Sequence, residues 1–247
     1  MDENKIPIVM NVKDVLKGIK LVIFDYDGVI YNMIEPLRQT VIEGTEKYEL
    51  KSSGLQEDMR EVFHLLEFAL TRTVADQILD SKEMLDIQLL NEIPHLKRLR
   101  IATSFYGEFR EKTKEPILFD GVEDLIKKLH KKGIKMAILS NSAKKYILST
   151  LEIYKLLNYF STILGAAEVR KVKPDPEGLL KILEIEGVNA KEVIFIGDMI
   201  SDTDAGKNAN IKTIAIASGI LPVEKLAAEK PYALVHNIRE LQQLFNL

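Results

Sequence analysis

Cysteine is absent from the 247 residues of this chain, which excludes disulfide bonds, thiolate metal sites and cysteine nucleophiles. Basic residues are not in excess either, since 34 Lys and Arg stand against 37 Asp and Glu, a formal net charge of −3. With no overall positive field, neither nucleic acid nor an acidic membrane is an expected partner. No apolar run approaches the roughly 20 residues that span a bilayer. The first residues lack a basic-then-apolar signal pattern, so we expect a cytoplasmic protein.

Short apolar runs indicate the fold class. Hydrophobic residues make up 46% of the chain and charged residues 29%, which is typical of an ordered globular protein. Continuous β-branched runs without alternation are typical of strands covered on both faces. The runs are Leu21–Phe24, Met136–Leu139, Val193–Ile196 and Thr213–Ile216. Because helical patterns lie between them, the sequence predicts an α/β core, a Rossmann-like wound parallel sheet.

Two of the helical patterns are well defined. The first, residues 124–133, has apolar residues at helical spacing, basic residues in its last turn and a terminal glycine. The second, residues 176–187, begins at a proline and ends at a glycine. Its expected buried side consists of Leu179, Leu180, Ile182, Leu183 and Ile185.

The interval between about Pro36 and Pro116 breaks this alternation. It contains no β-branched strand run, and its apolar residues recur at three- and four-residue steps, as on one face of an amphipathic helix. These residues are Leu55, Met59, Val62, Phe63, Leu66, Leu70 and Val74. We therefore predict an α-helical cap domain, residues 35–116, inserted into an α/β catalytic core formed by residues 1–34 and 117–247.

Two aspartates directly follow the first apolar run. In a chain that is still extended, residues two apart face the same way, so Asp25 and Asp27 can both point into the crevice at the end of the strand. That crevice is where open α/β sheets bind ligands. Gly28 then permits a tight exit from the strand. Taken alone, the pair also fits a polar strand end with a capping aspartate.

Polar residues also follow later elements. Ser140 and Asn141 come after the second run, Asp198 and Asp202 after the third, and Lys173 precedes a predicted helix. Because parallel strands present their carboxyl ends on one edge of a sheet, these side chains can share one crevice. Each has an ordinary alternative, a helix cap for the serine and the aspartates and a solvated surface position for the lysine.

The succession of Asp, Ser, Lys and Asp closely resembles the four motifs of the haloacid dehalogenase-like hydrolase superfamily. The insertion resembles the helical cap of its phosphoglycolate phosphatase and β-phosphoglucomutase members. The resemblance covers nearly the whole chain, since Phe119–Val122 and Ser218–Gly219 also look like family features. It implies that Asp25 is a nucleophile that forms an aspartyl phosphate, and that Asp27 is the acid and base.

The same resemblance implies the remaining roles. Phosphate binding would fall to Ser140, Asn141 and Lys173, with Lys173 also catalytic. The metal ligands would be Asp25, Asp198 and the backbone carbonyl of Asp27, and Asp202 would orient the lysine or metal-bound water.

Electrostatics make a bound cation necessary. Clustered carboxylates and an incoming phosphate repel one another by about 4 kcal/mol per pair of unit charges at about 4 Å in an effective dielectric of about 20. With oxygen ligands and no cysteine, Mg²⁺ is the expected cofactor. The histidines form no zinc motif and are interpreted as structural or surface residues. They are His64, His95, His130 and His236.

Three functions from different classes remain open. The first is a Mg²⁺-dependent phosphatase of a small phosphorylated metabolite, over which the cap would close as a lid and exclude water. The second is a sugar phosphomutase, in which the phosphoenzyme returns its phosphoryl group to the substrate. The third is a non-enzymatic phosphoacceptor module on a receiver-like scaffold, which the order of the acidic motifs and the chain length disfavour. The sequence leaves the exact substrate and the oligomeric state undetermined.

Overall fold

The computed structural model describes residues 15–71, 88–90 and 93–247. Contacts between these residues group them into two compact units. One unit comprises Leu118–Leu247 together with the described part of the chain up to Asn32, and the other lies within Met33–Ile117.

The first unit contains a six-stranded parallel sheet in the order β3-β2-β1-β4-β5-β6. Its strands are β1 (Leu21–Phe24), β2 (Lys135–Leu139), β3 (Thr162–Leu164), β4 (Val193–Gly197), β5 (Lys212–Ile216) and β6 (Ala233–Val235). The predicted wound parallel sheet is therefore confirmed. The four predicted apolar runs are its four central strands, whereas the edge strands β3 and β6 have only three residues each and were not predicted.

Helices follow the strands and also form the second unit. In chain order, the described helices are α1 (Ile34–Tyr48), α2 (Leu55–Thr71), α3 (His95–Lys112), α4 (Val122–Lys131), α5 (Lys144–Ile153), α6 (Glu177–Glu186), α7 (Ile200–Asn208), α8 (Val223–Ala228) and α9 (Ile238–Leu244). Short 3-10 helices lie at Gln88–Leu90, Leu157–Tyr159, Ala166–Glu168 and Ala190–Glu192. The two helices predicted in the core correspond to α4 and α6.

The expected buried side of α6 is only partly correct. Leu179 and Ile182 are fully buried in one cluster with residues of β1, β2, β3 and β4, and Leu183 packs against this cluster. Leu180 and Ile185, however, are 48% and 55% exposed. The reason is angular: at about 100° per residue, positions 179, 182 and 183 share one face of the helix, and positions 180 and 185 lie outside it.

Parallel register aligns the strand ends at one edge of the sheet. Phe24 in β1 lies opposite Ile138 in β2 and Ile196 in β4. The residues that follow these three strands therefore lie side by side. The sequence predicts this for the polar residues at the strand ends. The backbone N–H of Asp25 continues the ladder by donating to the carbonyl of Ile196 at 2.8 Å.

The second unit is helical where it is described. Helices α1 and α3 approach closely, because a Cβ atom at Gly44 would overlap the ring of Phe105. In α2, Met59, Val62 and Phe63 are buried as predicted, but Leu55 at its first position is 41% exposed. The side chains of residues 66 and 70, and residue 74, lie outside the described part. Among the described residues, no helix combines the length and the apolar character needed to cross a bilayer.

Candidate active site

Three aspartates meet at the carboxyl ends of β1 and β4. Asp25 follows β1, Asp198 follows β4, and Asp202 lies in the first turn of α7. One carboxylate oxygen from each lies within 4.8 Å of the other two, and all three residues are buried. The sheet thus assembles an acidic cluster, defined as these three residues, from distant parts of the sequence.

Lys173 contributes a positive charge to the acidic cluster. Its Nζ lies 2.8 Å from Oδ1 of Asp25 and 2.6 Å from Oδ1 of Asp202. The residue is 6% exposed, and Nζ lies 5.6 Å from the centre of the Phe195 ring. Lys173 therefore joins two carboxylates in a buried ion-pair network and is not the solvated lysine of the alternative interpretation.

Asn141 fixes the segment that carries Lys173. The side-chain amide of Asn141 donates to the backbone carbonyl of Lys173 at 3.3 Å, and its oxygen accepts from the backbone N–H of Lys173 at 3.1 Å. Both ends of the side chain are thereby used. The Asn141 side chain therefore holds the lysine segment in place, and one N–H of its amide is engaged in doing so.

Asp202 is committed to contacts within the protein. Its Oδ1 faces Lys173, while Oδ2 accepts hydrogen bonds from the backbone N–H groups of Asp198 at 3.1 Å and Met199 at 2.9 Å. These bonds cap the start of α7, where negative charge is favourable. Within the acidic cluster, Asp25 and Asp198 are consequently the carboxylates better placed to hold a cation.

Asp198 is restrained from two sides. Its Oδ2 accepts a hydrogen bond of 2.7 Å from Oγ of Ser218. Gly28 lies against the carboxylate with φ at +77°, and a Cβ atom there would overlap it. Gly28 is thus required for both its backbone conformation and this close approach. The other oxygen, Oδ1, is buried and receives no hydrogen bond from the described residues.

Asp27 takes different partners from the acidic cluster. Its Oδ2 accepts from Oγ of Ser142 at 2.6 Å and from Oγ of Ser140 at 3.2 Å. Ser140 follows β2 directly and Ser142 lies two residues further on, so neighbouring strands position the carboxylate and its donors. Of the predicted metal ligands, the side chains of Asp25 and Asp198 are brought together, whereas that of Asp27 is directed to the serines. The predicted role of its backbone carbonyl is unaffected by this arrangement.

Burial controls the protonation of these carboxyl groups. It raises the pKa of Asp25 well above its usual value. The charge of Lys173 lowers this pKa, and the charges of Asp202 and Asp198 raise it further. Burial, followed by repulsion from Asp202, raises the pKa of Asp198 to about 8. Burial raises the pKa of Asp27, and the hydrogen bond from Ser142 partly offsets this by lowering it. With several carboxyl groups and one ammonium in contact, the site accommodates either protons or a cation.

The donor set fits Mg²⁺. Every candidate ligand is a carboxylate or carbonyl oxygen, the ligand type that Mg²⁺ prefers. A second observation agrees, since Oδ1 of Asp198 is a buried acceptor without a donor among the described residues. A buried acceptor of this kind is costly unless a ligand satisfies it.

Two hydrogen-bond donors to these aspartates, Ser142 and Ser218, are not predicted as donors by the sequence analysis. Ser142 is not among the predicted site residues, and Ser218 enters only as part of a segment that looks like the family. Both follow a central strand, Ser142 after β2 and Ser218 after β5. The signal that identified the aspartates, a polar residue at the end of an apolar run, therefore also applies to these serines.

Comparison with known proteins identifies the family. Residues 22–216 match the family model of the haloacid dehalogenase-like hydrolases, and this span includes every candidate site residue described above except Ser218. The chain belongs to the haloacid dehalogenase-like hydrolase family. The predicted family and the prediction of an enzyme are thereby confirmed.

Individual relatives agree with this assignment. A phosphoglycolate phosphatase of Pseudomonas fluorescens is 27% identical over 222 residues, covering 90% of this chain and 78% of the relative. A phosphoglycolate phosphatase of Salmonella typhimurium is 26% identical over 236 residues, covering 92% and 93%.

Solved structures show the same fold. A protein of Haemophilus somnus described as a predicted phosphoglycolate phosphatase has a TM-score of 0.68 at 17% identity, covering 92% of this chain and 98% of its own. A candidate β-phosphoglucomutase of Bacteroides vulgatus has a TM-score of 0.63 at 20% identity, covering 92% and 88%. At these identities the similarity establishes the fold alone.

The raised pKa of Asp198 leads to a prediction about stability. Without divalent cations, the free energy of unfolding should fall as the pH rises from about 5.5 to about 8. The pKa of this carboxyl is about 8 in the folded protein and about 3.9 in an unfolded chain, so between these values only the folded state holds the proton. Stability falls with pH wherever the folded state binds more protons. Thermal unfolding in EDTA across this range measures the effect.

Two additions make this measurement specific. Mg²⁺ has to displace the proton, so its stabilising shift in Tm should be larger at pH 8 than at pH 6. Asp198→Asn should reduce the slope, while Asp204→Asn, at a position on α7 whose side chain is 39% exposed, should not. A Tm in EDTA that is flat or rises over this range would contradict the prediction.

Proposed function

We propose that this chain is a Mg²⁺-dependent phosphatase that hydrolyses a small phosphorylated metabolite through an aspartyl phosphate on Asp25. The observation that carries the proposal is the 2.8 Å ion pair between Asp25 and Lys173 inside the buried acidic cluster. Family membership and the curated phosphoglycolate phosphatases support the reaction class. Phosphoglycolate is accordingly the first substrate to test, followed by sugar phosphates.

Asp25 is the proposed nucleophile. Its Oδ1 accepts from the backbone N–H of Tyr26 at 2.7 Å and faces Lys173. The hydrogen bond and the ion pair both engage Oδ1, which leaves Oδ2 to attack phosphorus in line. A bond forms between Oδ2 and phosphorus as the ester P–O bond breaks. Lys173 orients the carboxylate and offsets negative charge on the transferring oxygens.

Asp27 is the proposed acid and base. Its raised pKa favours a proton on the carboxyl before the reaction, and Ser142 holds the group in one orientation. The proton passes to the departing alkoxide in the first step. In the second step, Asp27 takes a proton from the water that attacks the aspartyl phosphate. Inorganic phosphate is released and Asp25 is regenerated.

The remaining residues support these two steps. Asp25, Asp198 and the backbone carbonyl of Asp27 would hold Mg²⁺, which when bound neutralises phosphate charge and polarises the phosphoryl group. Asp202 holds Lys173 in position. The hydroxyl of Ser140 turns from Asp27 to a phosphate oxygen when the substrate enters. The proposed catalytic core is residues 1–34 and 117–247, and the proposed cap is the helical segment 35–116.

A panel of phosphomonoesters tests the function directly. We expect release of inorganic phosphate that requires Mg²⁺, disappears in EDTA and returns when Mg²⁺ is restored. With β-glucose 1-phosphate, a phosphomutase would form the 6-phosphate without stoichiometric free phosphate. A phosphoacceptor module would retain a stable phosphoaspartate without turnover. Either result would replace the hydrolase proposal.

The role of Asp27 as an acid can be tested separately from its role as a base by varying the leaving group. Asp27→Asn should lower kcat/KM for an alkyl phosphate by about 10²- to 10⁴-fold, because the alkoxide then leaves without a proton. The loss for p-nitrophenyl phosphate should be at least tenfold smaller, since nitrophenolate is a stable anion. kcat/KM reports the first irreversible step, so the later role of Asp27 as a base does not mask the difference. Equal losses for both substrates would argue against the acid role. Asp124→Asn, on α4 with its side chain 56% exposed, serves as the control.

A further inference from the structure

The hydroxyl of Ser218 reaches one oxygen of a candidate metal ligand. Ser218 lies two residues after β5, and its backbone N–H donates to the carbonyl of Ile216 at 3.0 Å. The preceding residue, Ala217, donates to the carbonyl of Val235 at 2.9 Å, which ties this segment to the end of β6. The position of the Ser218 hydroxyl beside β4 is therefore set by backbone contacts.

The hydrogen bond from Ser218 makes the two oxygens of Asp198 unequal. Oδ2 accepts the hydroxyl at 2.7 Å, whereas Oδ1 is buried without a donor among the described residues. Gly28 lies against the same carboxylate and leaves no room for a side chain there. The carboxylate is thus held with one oxygen satisfied and the other open.

We propose that Ser218 is a positioning residue that makes Asp198 bind the cation through Oδ1 alone, and that it thereby favours Mg²⁺ over Ca²⁺. This inference rests on the proposed function, since it concerns the same cation. Mg²⁺ demands near-ideal octahedral geometry and a small cavity, whereas Ca²⁺ accepts six to eight oxygens and often takes both oxygens of a carboxylate. A carboxylate with one oxygen already occupied offers Mg²⁺ a suitable ligand. It denies Ca²⁺ the second carboxylate oxygen that this ion often takes.

Removal of the hydroxyl should be tolerated by the fold. Ser218 is partly exposed and lines a cavity of about 310 Å³ together with residues that include Gly28 and His236. A shorter side chain therefore enlarges an existing space and creates no sealed void. Ser218→Ala is expected to fold, and Ser218→Thr keeps a hydroxyl at the same position.

The experiment is calorimetric titration of the metal-free protein with Mg²⁺ and, separately, with Ca²⁺. Ser218→Ala should weaken Mg²⁺ binding by about tenfold, within the range found when a partner of a metal ligand is removed. Ca²⁺ affinity should be unchanged or increased, so the Mg²⁺ to Ca²⁺ preference should fall by about tenfold or more. Ser218→Thr should restore most of the preference. Ser53→Ala, which removes an exposed serine hydroxyl, should match the wild type.

The possible failures are distinguishable. Equal changes in the Mg²⁺ and Ca²⁺ affinities would mean that Ser218 has only a general structural role. No change in either affinity would mean that Ser218 does not act on the cation site. Both results overturn this inference and leave the phosphatase proposal intact. Failure of the wild type to bind Mg²⁺ would instead overturn the proposed function and this inference with it.

Discussion

Asp25→Asn should lower phosphatase activity by about 10⁴-fold or more while the protein remains folded. The amide cannot attack phosphorus, so the aspartyl phosphate does not form, and loss of a nucleophile removes most of the catalytic advantage. The variant should remain folded, because Asn has nearly the same shape as Asp and Lys173 keeps its ion pair with Asp202 at 2.6 Å. Rates with the best substrate of the panel and thermal unfolding in EDTA measure the two expectations.

Labelling makes this test independent of turnover. Wild-type protein that is quenched in acid during turnover should carry phosphate on Asp25, as detected by mass spectrometry of the peptide, and Asp25→Asn should carry none. Asp124→Asn provides a matched substitution at a position whose side chain is 56% exposed and should retain wild-type activity. Activity of Asp25→Asn within about tenfold of the wild type would exclude Asp25 as the nucleophile.

Lys173→Met should destabilise the metal-free protein by about 3–5 kcal/mol at pH 8, the range measured when one partner of a buried ion pair is removed. Methionine keeps the length of the side chain but leaves Asp25 and Asp202 buried without their shared cation. The cost should be smaller at pH 5.5 than at pH 8, because burial raises the pKa of Asp25 and a lower pH favours its neutral form, which needs no cation. Urea unfolding in EDTA at the two pH values measures the difference. Activity should also fall by about 10³-fold or more.

Lys171→Met is the matched control for this substitution. The side chain of Lys171 is 74% exposed, and its ion pair with Asp175 spans 3.5 Å. An exposed pair of this kind contributes little, so the control should lie within about 0.5 kcal/mol of the wild type. If Lys173→Met were as stable as the control at pH 8, the ion-pair network would not hold the acidic cluster together.

The sequence was sufficient to predict the centre of the sheet but not its edges. Strands β1, β2, β4 and β5 are covered on both faces, so their apolar runs are continuous and easily recognised. Strands β3 and β6 have three residues each, too few to display a period. On α6, the exposed residues Leu180 and Ile185 show that a count of apolar residues overestimates a buried face when their angles around the helix are ignored.

The site residues were predictable as a set because each one follows a strand or precedes a helix. Their individual partners were not predictable. The bond from Ser218 to Asp198 depends on the path of the chain beyond β5, and the contact of Asn141 with the backbone of Lys173 depends on a loop 32 residues away. Such contacts are set by loop conformations, which hydrophobic periodicity does not encode.

The position of β1 in the sheet has a consequence for synthesis. Both of its neighbours, β2 and β4, come later in the chain, and the whole helical segment separates β1 from the first of them. During translation, β1 therefore stays unpaired until β2, which ends at position 139, has been synthesised. Its second edge stays unpaired until β4, which ends at position 197, has been synthesised. Until both neighbours are in place, the unpaired edges of this apolar strand favour association with other chains.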